Sequence, residues 1–129
     1  MAGDSLTSAN GYILAYGQKV HRSADGRIFG CSGLTTDCRK FQRYMIEGGE
    51  RPTLTDEFRA LILNKDGTVD WIDKEWEPVR YVLPAAIGSG GELAQGAMLC
   101  GKSPAEAVEI ACKFDRNSGG DIHSETLDV

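Results

Sequence analysis

The sequence lacks most of the signals that would place it quickly. It has no CxxC pair: Cys31, Cys38, Cys100 and Cys112 stand apart, and the two histidines, His21 and His123, are far from each other. The usual zinc spacings are therefore excluded, and no metal or other cofactor is expected. Basic residues never gather into a run, and the net charge is −5. That balance argues against a nucleic-acid or anionic-membrane partner. Met1–Ser5 carries neither a basic start nor an apolar core, so no signal peptide is read. No apolar run approaches the length of a membrane span. There are no internal repeats and no low-complexity segment. A cytoplasmic protein with reduced, mostly buried thiols and no structural disulfide is the expectation. With 129 residues, 41% apolar and 26% charged, the chain reads as one domain, 1–129, able to bury a core without staples.

What is present is concentrated in Ala85–Gly120. Ala85–Gly88 is a short apolar run of strand type, followed by the turn Gly88-Ser89-Gly90-Gly91. Glu92–Cys100 follows as a helix, with Gly101 placed to close it in a left-handed cap. Ser103-Pro104-Ala105-Glu106 opens a second helix: Ser103 as N-cap, Pro104 pre-set for the first turn, Glu106 completing a capping box. Ala107, Ile110, Ala111 and Phe114 recur at helical spacing and predict a buried face. The helix stops before Asn117-Ser118-Gly119-Gly120.

The rest of the chain reads as strands broken by turns. Gly11–Tyr16 and Lys19–Arg22 are strands, Ser23–Gly26 a hairpin turn, and Arg27–Cys31 the returning strand. A helix is expected over Asp37–Glu47, entered through one of several side-chain caps, with Cys38, Phe41 and Met45 on one face. Glu50–Thr55 is a polar linker. Phe58–Leu63 and Thr68–Ile72 pair across Asn64–Gly67. Val79–Leu83 and Ala85–Gly88 lead to the central turn, and Asp121–Leu127 is the last strand. Hairpins with grouped helices suggest α+β rather than a parallel βαβ fold.

The turn Ile87–Gly91, the capped helix pair and the run Asp115–Gly120 together resemble the proteasome β-subunit family, including the HslV-type peptidases. Ala2-Gly3-Asp4, Lys19-Val20 and Gly30–Gly33 look like further motifs of that family. The resemblance implies an N-terminal-nucleophile hydrolase-like α/β/β/α sandwich, two antiparallel sheets with helices outside. It implies a threonine-type endopeptidase acting on polypeptide, in which the threonine hydroxyl attacks and its own α-amino group is the base. A small residue's backbone N–H would form the oxyanion hole. Carried over, the site is Lys19, its partner Asp4, the turn serine Ser89, and the pair Asp115 and Ser118. Taken singly, each has a plain reading: a turn acid, a solvated lysine, a turn former, a helix-end cap.

Two departures qualify the resemblance. The nucleophile should precede Ala2-Gly3-Asp4 by a strand and a turn, and only Met1 stands there. Met1 is accordingly read as an internal methionine of a longer product, with the first strand missing and residues 1–129 inactive by themselves. The family's pair of long helices is represented by one helix and the linker Gly48–Thr55. A homo-oligomer smaller than stacked rings, a dimer or small assembly, is expected, and an ATP-dependent unfoldase partner is implied. The competing reading is a non-catalytic relative used as an oligomerising or binding module. A phosphate site at Gly88–Gly91 is disfavoured, because no Walker lysine follows and Glu92 is negative where phosphate would sit. A Ser/His/Asp triad through His21 or His123 has no supporting motif.

Overall fold

The computed structural model describes residues 1–9 and 12–128. Along them run β1 (Ala2–Gly3), β2 (Leu6–Ala9), β3 (Tyr12–Tyr16), β4 (Val20–Arg22), β5 (Ile28–Ser32), α1 (Thr35–Glu47), β6 (Arg59–Leu63), β7 (Val69–Ile72), β8 (Val79–Arg80), α2 (Gly91–Leu99), α3 (Pro104–Phe114) and β9 (His123–Ser124). The expected strand Gly11–Tyr16 is β3, except for Gly11, which lies outside the described residues.

Strands β4 to β8 form one antiparallel sheet in chain order. The order follows from tight turns. At Ser23–Arg27 the Ser23 N–H donates to the Arg27 carbonyl at 2.8 Å, and at Asn64–Thr68 the Asn64 N–H donates to the Thr68 carbonyl at 2.8 Å. Register sets the two faces. Phe29 stands opposite Ile62 and Ala60 opposite Ile72, so these four share one face. Helix α1 covers that face with Phe41 and Met45, and Leu54 and Phe58 complete the cluster. Phe41 contacts Phe29 edge-on at 5.4 Å between ring centroids and Phe58 at 5.0 Å. Each fully buried phenylalanine contributes about 1.5–3 kcal/mol relative to exposure.

The other face carries Val20, Ile28, Leu61 and Val69, all buried. Here β1 crosses close: a side-chain carbon at Gly3 would lie 2.9 Å from Val20 Cγ2. β1 pairs antiparallel with β9, Ala2 opposite Ser124 and Gly3 opposite His123. α3 packs on the far side of this ladder. α2 packs on α3 through Ala94, Ala107 and Ala111, small residues that let the helix axes approach. The layers thus run α1, five-stranded sheet, β1–β9, α2–α3: an α+β sandwich of the α/β/β/α kind. A third ladder, the hairpin β2–β3 with a bulge between Thr7 and Ser8, follows β1.

The structure departs from expectation at several places, and the strand expected over Val79–Leu83 shrinks to Val79–Arg80. Ala85–Gly88 is not a strand. Pro84 has no N–H to give a ladder, and its carbonyl accepts from Gln95 Nε2 of α2 at 3.0 Å instead. The last strand shrinks from Asp121–Leu127 to His123–Ser124, because β1 offers only two residues to pair with. Phe114 is 76% exposed: α2 begins opposite Ala111, so a residue one turn further along α3 overhangs it. α1 has no side-chain cap; its N-cap is Leu34. Asp37 turns inward and accepts from Thr55 N at 3.3 Å and Thr55 Oγ1 at 2.5 Å, holding the linker. Finally, the thiols are not mostly buried: Cys100 is exposed and the other three are half-buried.

Candidate active site

Four chain segments bring polar side chains to one place. Asp4 follows β1 and Lys19 precedes β4, so the contact between the two sheets sets them side by side. Lys19 Nζ donates to Asp4 Oδ1 at 2.7 Å, with the carboxylate 12% exposed. A lysine this close to a mostly buried carboxylate supplies the charge partner that burial demands. The other carboxylate oxygen, Asp4 Oδ2, accepts the backbone N–H of Gly119 at 2.8 Å. Asp4 therefore ties the lysine to the Asp115–Gly120 run across more than a hundred residues of chain.

On the opposite side, the turn before α2 meets the end of α3. Asp115 Oδ2 accepts Ser89 Oγ at 2.6 Å and Ser118 Oγ at 2.5 Å. Gly90 makes this approach possible. A side-chain carbon there would lie 2.9 Å from Ser118 Oγ and 3.1 Å from Ala111 Cβ. Burial pushes the Asp115 carboxyl up, but the hydrogen bonds from Ser118 and Ser89, with the Lys19 charge behind them, outweigh it and hold the group below its ordinary value. Nearby, burial and the Asp4 charge push the Cys112 thiol up.

Asp4, Lys19, Ser89 and Ser118 line one cavity of about 1060 Å³, and Asp115 stands behind the two serines. The remaining wall is largely apolar, with Val20, Leu61 and Val69 from the sheet and Ala94, Met98 and Val108 from the helix pair. Among the described residues no group of three or more His, Cys, Asp or Glu side chains could hold a metal ion. Chemically, the arrangement offers one fixed cation and one carboxylate that orients two hydroxyls, next to an apolar slot.

No family model matches the sequence, and no protein of curated function matches it. Solved structures do. Thiobacillus denitrificans BPH in complex with epoxomicin is 20% identical with a TM-score of 0.75, covering 95% of this chain and 88% of that one. BPH without it gives 19% and 0.74 over the same shares. Eukaryotic HslV from Trypanosoma brucei is 19% identical with a TM-score of 0.68, covering 95% of this chain and 90% of that one. The chain has the HslV-type, proteasome β-subunit-like fold.

Within this HslV-type fold, the structure adds groups that the sequence reading did not single out. The Gly119 amide on Asp4 is one; the glycines of Asp115–Gly120 were visible, but a backbone donor carries no residue-specific signal. Cys31 and Cys38 are others: both line the same cavity, and their spacing of seven residues spans a strand end and a helix start, which no short motif describes. No helix of the described residues is long and apolar enough to cross a membrane.

Proposed function

We propose that the chain is the body of a proteasome/HslV-like threonine-type endopeptidase, a cytoplasmic protein that degrades polypeptide supplied by an ATP-dependent unfoldase. The observation that carries this reading is the convergence of the Lys19–Asp4 pair and the Ser89–Asp115–Ser118 cluster on one cavity. In the proposed mechanism Lys19 stabilises the negative charge that develops on an attacking threonine oxygen, Asp4 fixes the lysine, and the Asp115 cluster holds the threonine's amine. In this reading the attacking group is a threonine other than the five site side chains. Ser89 and Ser118 both donate to Asp115, and Ala2 and Gly3, the residues beside Lys19 on β1, carry no hydroxyl. The 129-residue chain is accordingly expected to be inactive alone, and a threonine-led strand entering the apolar slot is expected to restore the site.

The test compares two lengths on a fluorogenic peptide: residues 1–129, and the same chain preceded by a threonine-led segment of about twelve residues, enough for two short strands. No turnover by the short form, turnover by the long one and its loss in Lys19→Ala is the expected pattern. Turnover by the short form that survives Lys19→Ala would overturn the mechanism. Silence from both would favour a second reading, a non-catalytic homo-oligomerising module. That reading has its own observation: Val82, Leu99 and Phe114 are 83%, 70% and 76% exposed, apolar side chains that association would cover.

A further inference from the structure

The cavity wall holds a group of side chains with no part in the proposed peptidase chemistry. Cys31 leaves β5 toward α1, and Cys38 lies in the first turns of α1, where its N–H already bonds the Leu34 carbonyl at 3.0 Å. Cys31 Sγ reaches the Cys38 carbonyl at 4.0 Å, which brings the Cys31 thiol to the start of α1 beside Cys38. Both line the cavity and neither is bonded to another cysteine. Strand β5 and helix α1 share the Phe29–Phe41 contact, so the pair is held between two packed elements rather than on a loose loop.

We propose that Cys31 and Cys38 are a redox-active dithiol site, closed to a reversible disulfide by a hydroperoxide. This inference does not depend on the peptidase reading. The two thiols differ in a way that assigns their parts. Cys38 is held below the usual thiol range, first by the hydrogen bond from Cys31, with the Lys19 charge helping and burial and Asp37 opposing. Cys31 is pushed well above it by its hydrogen bond to Cys38 and by burial. Cys38 is therefore the attacking thiolate and Cys31 the resolving thiol. In the first step the Cys38 sulfur attacks one peroxide oxygen; the O–O bond breaks, hydroxide leaves and Cys38 becomes a sulfenic acid. In the second, the Cys31 sulfur displaces that oxygen; the S–S bond forms, and the Cys31 proton leaves with the oxygen as water. Two thiols lose two electrons and two protons, and one peroxide becomes two waters.

The experiment uses hydrogen peroxide on the intact folded chain, followed by alkylation of remaining thiols and tryptic mass spectrometry. Ile28–Arg39 is one tryptic peptide and contains both cysteines. The expected result is loss of two hydrogens from that peptide, loss of alkylation at both Cys31 and Cys38, and reversal of both by dithiothreitol, while Cys112 stays alkylatable. Cys31→Ser removes the resolving thiol and is expected to leave Cys38 trapped as a sulfenic acid, captured by dimedone. Full alkylation of both residues after peroxide, or direct over-oxidation of Cys38 in the parent chain, overturns the proposal. So does a disulfide that forms as fast in guanidinium-unfolded chain as in folded chain, since the fold would then contribute nothing to the encounter.

Discussion

Asp115 gathers two hydroxyls onto a single oxygen, and its protonation state decides whether they stay. Its carboxyl is held below its ordinary value of 3.8. A depressed carboxyl stabilises the fold above the unfolded-state value, and the contribution is lost as pH falls through the folded-state value. Asp115→Asn is therefore expected to lower the melting temperature at neutral pH and to flatten its decline in the acid range below 3.8. An acid limb of unchanged slope in the variant would show that Asp115 carries none of the linkage. Gly90 is the companion case. A methyl group there must move either Ser118 or Ala111, and Gly90→Ala is expected to cost about 1–3 kcal/mol, the usual range for overpacking. Urea unfolding of the two chains side by side measures it, and a midpoint within error of the parent would place the close approach in doubt.

At the scale of elements, α3 is the best specified. Ser103 Oγ accepts the Glu106 N–H at 3.2 Å, and Glu106 Oε1 accepts the Ser103 N–H at 3.0 Å. Ser103→Ala leaves one helix-end donor, the Glu106 N–H, without its partner and is expected to destabilise by about 1 kcal/mol. Thermal melts superimposable on the parent would refute the assignment. α2 ends with equal definition: Lys102 N donates to the Ala97 carbonyl at 3.1 Å and Gly101 N to the Met98 carbonyl at 3.0 Å, the paired bonds of a Schellman cap. The two caps fix a short connection between α2 and α3, which in turn sets the Ser89 turn against Asp115. α1 depends on a different device. Without a side-chain cap of its own, it is anchored by its aromatic face and by Asp37 bonded to Thr55.

For the whole molecule, the apolar residues left outside the sandwich carry the expectation of association. Phe114 and Leu99 sit on the helix pair, away from both cores. If these two side chains join copies of the chain, Phe114→Ser together with Leu99→Ser shifts sedimentation toward the monomer while circular dichroism stays unchanged. A parent chain that sediments as a monomer at high concentration would end the homo-oligomer reading. The site itself is a whole-molecule property. Its five polar side chains come from four separate stretches of sequence, and only the stacking of β1 on the five-stranded sheet and of α2 on α3 sets them around one cavity.

The sequence by itself determined the features whose partners lie within a turn or two. The capping box at Ser103–Glu106, the Gly101 cap and the hairpin turns at Ser23–Gly26 and Asn64–Gly67 were legible because the donors and acceptors are three or four residues apart. The helices over most of their length were legible for the same reason, from periodicity. The motif set of Asp4, Lys19, Ser89, Asp115 and Ser118 could be named from its resemblance to a family, but nothing local to any one residue placed it. Tertiary structure alone decided that Lys19 meets Asp4, that Asp4 also takes the Gly119 amide and that Cys31 faces Cys38. It also decided where periodicity failed. Phe114 follows the helical repeat yet stays exposed, because burial requires a facing surface and α2 begins opposite Ala111, one turn short of it. Ala85–Gly88 has strand composition yet forms no ladder, because a strand needs a neighbour to pair with, and the Pro84 carbonyl before it is held by the Gln95 side chain of α2 instead.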